Sequence, residues 1–158
     1  MRPVGKGTDQ RDPDVDLAAI PWAANMRETA ETLAEAGADL LLLEMISDVD
    51  HGMLALEAAL ATGLPVWAGL SAKRQDGTLV SYRDDGPTFR ELVDHWTQQP
   101  VQALGIMHTA LPDIEESLDL LLARSSVPAM AYPEAGYFRS PDWTFTEVDP
   151  ESFATAAV

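Results

Sequence analysis

Three ionisable residues lie where predicted strands end, and their side chains could bind a metal ion or a small molecule. Glu44 ends one apolar run, His108 ends a second, and Glu134 follows a third. Two carboxylates and an imidazole can form a site of oxygen and nitrogen donors suited to zinc, manganese or iron. The alternative is a histidine hydrogen-bonded to a nearby loop, with both glutamates in water. Parallel α/β folds build their sites at strand ends, so the position is compatible with a site, although the arrangement without one is the preferred interpretation at this point.

Other residues of similar chemistry have simpler interpretations. Tyr132 could line the opening of a site, with Ser71 nearby, although a strand tyrosine more often serves packing. His51 stands at a helix start and is predicted at the surface. His95 lies in an amphipathic helix and is predicted to be solvated.

The strands that would position these residues are four apolar runs, near residues 39–44, 65–70, 101–107 and 127–132. The first is a continuous leucine run entered through Gly37, which is typical of a strand buried on both faces. Helical patterns separate the runs. Regular alternation of strand and helix predicts a parallel sheet in sequential order, with right-handed crossovers and helices on its outer face.

Capping residues predict where the helices begin. Asn25 and Glu28 have the capping-box spacing and predict the start of the first helix. Asp48 and Asp50 can each cap the second helix, and Pro87 is predicted in the first turn of the third. Asp84 and Asp85 are expected to cap or precede that third helix.

Apolar spacing predicts the buried faces of the helices. The third helix has the clearest pattern, with Phe89, Leu92, Val93 and Trp96 at positions i, i+3, i+4 and i+7. For the fourth helix the predicted buried residues are Ile114, Leu118, Leu121 and Leu122. Trp67 is also predicted in the core. Residues 71–86 are predicted as a long polar connection with a turn at residues 76–77, and such long loops are often functional.

Charge and cysteine content exclude several classes of function. The chain has 26 acidic and 10 basic residues, for a formal net charge of −16. Phosphate backbones and anionic lipid surfaces should be repelled, so neither nucleic acid nor membrane is an expected partner. The sequence contains no cysteine, which excludes disulfides, thiolate metal ligands and a cysteine nucleophile. The start of the chain lacks a signal peptide, so a cytoplasmic protein is expected.

Four βα units are half of an eight-stranded barrel. A complete (β/α)8 barrel takes about 250 residues, whereas this chain has 158. We therefore predict an incomplete (β/α)8 TIM barrel of about four parallel units over residues 22–158, after an extended or partly disordered lead-in over residues 1–21. Two sheet edges and one sheet face would need covering, by missing sequence or by a second copy of the chain. A homo-oligomer is therefore expected.

Three segments in this order and spacing show a family pattern: residues 37–44, residues 105–108 and residues 132–136. Together they resemble the homocysteine S-methyltransferases, over about residues 24–155. The resemblance implies part of a TIM barrel, homocysteine and a methyl donor as substrates, and methionine as a product. It also implies a zinc ion, held by three cysteines, that binds homocysteine as thiolate. By position, Glu44 matches the family's glutamate for the substrate's amino group, and Tyr132 lies in the matching Tyr-Pro segment.

The zinc ligands of the family do not carry over to this sequence. The family's first cysteine falls on His108, which can itself bind zinc and is a possible substitute. Glu134 stands where the family has an amide and is a second possible ligand. The other two cysteines are expected just beyond Val158. Zinc would therefore be bound more weakly than by thiolates, if this chain binds it.

The resemblance leads to a homocysteine S-methyltransferase family protein that is incomplete or inactive as this chain. Two other hypotheses stay open at this point. One is a metal-dependent lyase or hydrolase that uses Glu44, His108 and Glu134. The other is a non-catalytic half-barrel that binds a partner through its open edges.

Overall fold

The structure is a computed structural model that describes residues 21–83, 86–134, 136–139, 142–145 and 149–156. Most of the predicted lead-in, and both Asp84 and Asp85, lie outside these residues. The strands, in chain order, are β1 (Leu41–Ile46), β2 (Val66–Leu70), β3 (Ala72–Gln75), β4 (Thr78–Ser81), β5 (Ala103–Ala110), β6 (Ala129–Glu134), β7 (Gly136–Arg139) and β8 (Asp142–Phe145). The α-helices are α1 (Trp22–Glu35), α2 (Val49–Ala61), α3 (Phe89–Trp96), α4 (Ile114–Leu122) and α5 (Pro150–Ala156). A short 3-10 helix, Leu111–Asp113, leads into α4.

The central sheet consists of the four predicted strands, in the order β1-β2-β5-β6, and every neighbouring pair is parallel. The prediction of a parallel sheet in sequential order is thereby confirmed. Between these strands the chain returns through α2, α3 and α4, as the βα pattern requires. This architecture is compatible with part of a TIM barrel. None of the described helices has the length and apolar character needed to cross a membrane.

The helix starts agree in part with the sequence prediction. Asp48 caps α2, where its carboxylate accepts from the backbone N–H of His51 at 2.8 Å, as predicted. The Asn25 prediction is wrong, because α1 already begins at Trp22 and places Asn25 inside the helix. For α3 the cap is Thr88, which forms a capping box with Glu91, so Pro87 precedes the helix rather than opening it.

The polar segment after β2 is a β-hairpin, β3–β4, rather than an irregular loop. Its turn is at Asp76 and Gly77, as predicted, and both have positive φ, of 50° and 80°. Two consecutive positive φ values are typical of the type I′ turn that suits the twist of a hairpin. The sequence of β3 lacks the alternation of apolar and polar residues that is typical of a strand. Ala72 is buried, whereas the successive residues Arg74 and Gln75 are both exposed.

The core lies between the helices and one face of the sheet. On α3 all four predicted residues are buried, and Trp96 is fully inaccessible, which confirms the amphipathic pattern. Two core predictions are wrong. Leu122 is 58% exposed, because it lies at the last residue of α4. Trp67 is 37% exposed, because it points away from the helices.

The opposite face of the sheet, which we call the open face, carries Trp67 together with its register partner Leu42, also 37% exposed. Strand alternation places Met107 and Tyr132 on the same face. A Cβ atom added at Gly69 would overlap the sulfur of Met107, so that methionine lies across the glycine. The absence of a side chain at Gly69 therefore allows Met107 to pack flat on the sheet.

This packing predicts that Gly69→Ala destabilises the chain. The new methyl group would displace Met107, and overpacking of this kind costs about 1–3 kcal/mol in the free energy of unfolding. In a Met107→Ala background the same substitution should cost much less, because the obstructing side chain is gone. Urea denaturation of the four proteins in this double-mutant cycle measures the coupling. Additive effects would contradict the proposed contact.

Candidate functional site

Two strands of the sheet carry an extra residue at their carboxyl ends. Between the partner pairs Leu43–Ala68 and Ile46–Leu70, β1 has two residues where β2 has one. Likewise, β5 has two residues between the pairs Met107–Tyr132 and Ala110–Glu134, where β6 has one. Such bulges redirect side chains and are common beside functional sites.

Each bulge contains a candidate residue and a residue with positive φ. The first consists of Glu44 and Met45, with φ of 59° at Met45, and it lies opposite Gly69. The second consists of His108 and Thr109, with φ of 48° at His108. It lies opposite Pro133, a residue that has no N–H for regular pairing and is tolerated at bulges. Left-handed backbone is unusual at bulky residues and is found where surrounding structure enforces it.

The second bulge brings His108 and Glu134 together. Their Nδ1 and Oε1 atoms are 4.0 Å apart, and the side chains are 26% and 17% exposed. The imidazole also meets Tyr132 edge to face, with ring centroids 5.4 Å apart and planes at 89°. Burial raises the pKa of the Glu134 carboxyl above its ordinary value, and the nearby His108 partly opposes that rise.

Glu44 stands at the same end of the sheet but apart from that pair. It is exposed, and it has no ion-pair or hydrogen-bond partner among the described residues. Strand β2 lies between β1 and β5, so Glu44 is one strand removed from His108 in the sheet. Within the described ranges, no group of three or more histidine or acidic side chains is placed to hold a metal ion. The structure therefore joins His108 with Glu134 and leaves Glu44 separate.

The buried hydroxyl of Thr109 stabilises the second bulge, a role that no sequence pattern indicates. Thr109 is fully inaccessible; its hydroxyl donates to the carbonyl of Met107 at 3.1 Å and accepts from the backbone N–H of Ala72 at 3.0 Å. One side chain therefore ties the start of the hairpin to the residue before His108. Ser71 is also fully buried, and its hydroxyl has no hydrogen-bond partner among the described residues.

A further charged cluster lies beyond the end of β1. Asp48 contacts the Nδ1 atom of His51 at 3.1 Å and the guanidinium of Arg83 at 3.4 Å. The ring of His51 also packs against Trp22, with centroids 4.7 Å apart. His51 is half-buried in this cluster, so its expected surface position is only partly correct.

Comparison with known proteins supplies the family. A sequence profile described as homocysteine S-methyltransferase matches residues 5–158. The chain belongs to this family. The match includes most of the predicted lead-in, which the resemblance seen in the sequence left out. No curated protein matches the chain significantly.

The family is typically zinc-dependent, and the residues described here do not form such a site. Catalytic zinc usually has three protein ligands, whereas His108 and Glu134 supply two, and the chain has no cysteine. Zinc ligation by this pair stays a prediction.

The role of Thr109 can be tested by removing its hydroxyl. Thr109→Val leaves the buried N–H of Ala72 without an acceptor, which should lower the free energy of unfolding by about 1–3 kcal/mol. Thr109→Ser keeps both hydrogen bonds and should cost less than about 1 kcal/mol, for the lost methyl group. Urea denaturation measures both variants. Equal losses would show that packing, and not the hydroxyl, stabilises this bulge.

The raised pKa of Glu134 predicts a pH-dependent effect of Glu134→Gln. Because the folded state holds this proton more tightly than the unfolded state, Glu134 destabilises the fold increasingly as pH rises from the ordinary value of 4.5 toward neutrality. Glu134→Gln should therefore gain stability relative to wild type over that range. Denaturation at acidic and neutral pH measures the gain, and Glu57→Gln on α2 controls for the loss of one negative charge. If Glu134→Gln instead became more stable relative to wild type as the pH falls, the raised pKa of Glu134 would be contradicted.

Proposed function

We propose that this chain binds homocysteine at the carboxyl ends of β1, β5 and β6 and takes part in methyl transfer to its thiol. The observation that carries the proposal is the family match over residues 5–158. Supporting it, both candidate strands bulge where the family pattern places its site residues, at Glu44 and at His108. The substrates are accordingly small molecules: homocysteine and a methyl donor.

Glu44 is proposed to bind the amino group of homocysteine. Its carboxylate has no competing partner among the described residues, so an ammonium group can approach it. Tyr132 is 56% exposed beside His108 and is proposed to line the site. Glu44 and His108 are separated by one strand, and the two ends of homocysteine are also apart. Glu44 can therefore bind the amino group while the side-chain thiol lies near His108.

The reaction makes two demands on such a site. The thiol must lose its proton so that sulfur can attack, and the sulfur must lie in line with the methyl group of the donor. A bond from sulfur to the methyl carbon forms while the bond from that carbon to the donor atom breaks. Holding both reactants in place supplies much of the rate enhancement in reactions of this kind.

The metal-dependent lyase or hydrolase has less support, because its three proposed donors do not come together within the described ranges. The non-catalytic half-barrel gains nothing specific from the structure. A cytoplasmic location and self-association stay proposals. For self-association the support is that β1 and β6 are the outer strands of the sheet and that Leu42, Trp67 and Tyr132 are exposed on the open face.

Homocysteine binding tests the proposed function. Isothermal titration should show binding to the wild-type chain. Glu44→Gln should weaken it about 10- to 100-fold, since it removes a charge-assisted hydrogen bond. Glu57→Gln, at an exposed carboxyl on α2, should leave the affinity unchanged. Absence of binding by the wild-type chain would overturn the proposal, and equal affinity in the Glu44→Gln protein would overturn the role of Glu44.

A further inference from the structure

We propose that His108 is a general base that takes the proton of the homocysteine thiol, with Glu134 stabilising the imidazolium that forms. The inference rests on the proposed function and deepens it by assigning thiol activation to this chain's own residues. Its starting point is the disagreement between family and structure. The family is typically zinc-dependent, whereas the described residues of this chain offer an imidazole and a carboxylate.

The geometry of the pair suits a histidine base, His108, whose ring is oriented by a carboxylate, Glu134. Nδ1 of His108 faces Oε1 of Glu134 at 4.0 Å, which leaves Nε2 as the atom that can meet a substrate. A carboxylate beside Nδ1 favours the tautomer that carries its proton there, so that Nε2 is free to accept. Catalytic hydrogen bonds are often long before substrate binds and shorten in the complex.

The surroundings hold the imidazole in this orientation. Tyr132 packs edge to face against the ring, and the Thr109 hydroxyl joins the carbonyl of Met107, the residue before His108, to the backbone N–H of Ala72 on the hairpin. The imidazole is still 26% exposed, so a thiol can reach it. Glu134 is more buried than His108, which strengthens its attraction to a positive charge on the ring.

The proton transfer is feasible in such a site. A free thiol has a pKa of about 8.5 and a free imidazole about 6.5, so transfer in water is unfavourable by about 100-fold. Attraction between thiolate and imidazolium, together with the carboxylate behind the ring, opposes that penalty. Paired cysteine and histidine side chains in enzymes hold thiolate at neutral pH by the same physics.

The bonds and charges balance without a further reactant. The S–H bond of homocysteine breaks, its electron pair stays on sulfur, and an N–H bond forms at Nε2. Sulfur then bonds to the methyl carbon of an ammonium or sulfonium donor. The bond between that carbon and the donor's nitrogen or sulfur breaks, and its electrons neutralise the donor atom. His108 finally releases the proton to water and is neutral again.

The test is the ultraviolet absorbance of thiolate when homocysteine is bound to the full chain treated with a metal chelator. At neutral pH we expect a strong thiolate signal for wild type. His108→Gln should reduce it to about the few per cent of an unassisted thiol. Glu134→Gln should reduce it partly, because the imidazolium loses its neighbouring charge. His95→Gln, at a half-buried histidine on α3, should match wild type. Circular dichroism confirms that each variant is folded.

Each outcome decides a separate claim. A thiolate signal that persists in His108→Gln, with homocysteine still bound, overturns the base role and leaves the proposed function standing. A signal that disappears with chelator and returns with zinc also overturns it, in favour of zinc ligation. If calorimetry shows no binding of homocysteine to the wild-type chain, the proposed function fails and the inference fails with it.

Discussion

The extra residue in β5 is the constraint on which the candidate site depends. A regular strand would continue its alternation past Met107, and His108 would then point to the face that β5 packs against the helices. The bulge instead gives His108 a φ of 48°, and its ring meets Tyr132 on the open face. Pro133 lies opposite the bulge, so the two irregularities of β5 and β6 coincide. The His108–Glu134 pair exists because of this local departure from regular pairing.

The hairpin β3–β4 supports the same feature from outside the central sheet. Its first residue, Ala72, donates to the Thr109 hydroxyl, and Arg74 binds the carboxylates of Asp113 and Glu116 at 2.7 and 2.6 Å. These ion pairs are partly exposed, so solvent screening keeps their contribution to stability small. These ion pairs position the hairpin against the segment that leads from β5 into α4. The position of the hairpin and the direction of His108 are thus linked through one buried threonine.

Much of the fold could be predicted because the signals are local and strong. Long apolar runs next to glycine or proline indicate buried parallel strands. On α3 the spacing of four apolar residues alone identifies the buried face of the helix. Errors arose where tertiary context decides. Trp67 is apolar yet exposed, because sequence does not show which sheet face the helices leave open. The hairpin is not recognisable from the sequence, because one of its strands is largely polar.

The sequence places the three candidate residues at strand ends, and it does not show their geometry. Glu44, His108 and Glu134 can be found as candidates because they lie at predicted strand ends. No sequence pattern indicates the two bulges, or that β2 lies between Glu44 and the other two residues. Thr109 cannot be singled out from the sequence, because threonine is common in strands. Its importance lies in two backbone hydrogen bonds, one of them to Ala72 in the hairpin. Such long-range contacts are set by packing, which a single sequence does not display.

The central claim is that homocysteine binds across the two bulges at the carboxyl ends of the sheet. The most direct measurement is the change in backbone amide chemical shifts of the isotope-labelled chain during titration with homocysteine. If homocysteine binds there, we expect the largest changes at residues 44–46, 108–110 and 132–134, with little change on α1 or the outer surface of α4. Changes confined to the helical side of the sheet, with both bulges unaffected, would contradict it.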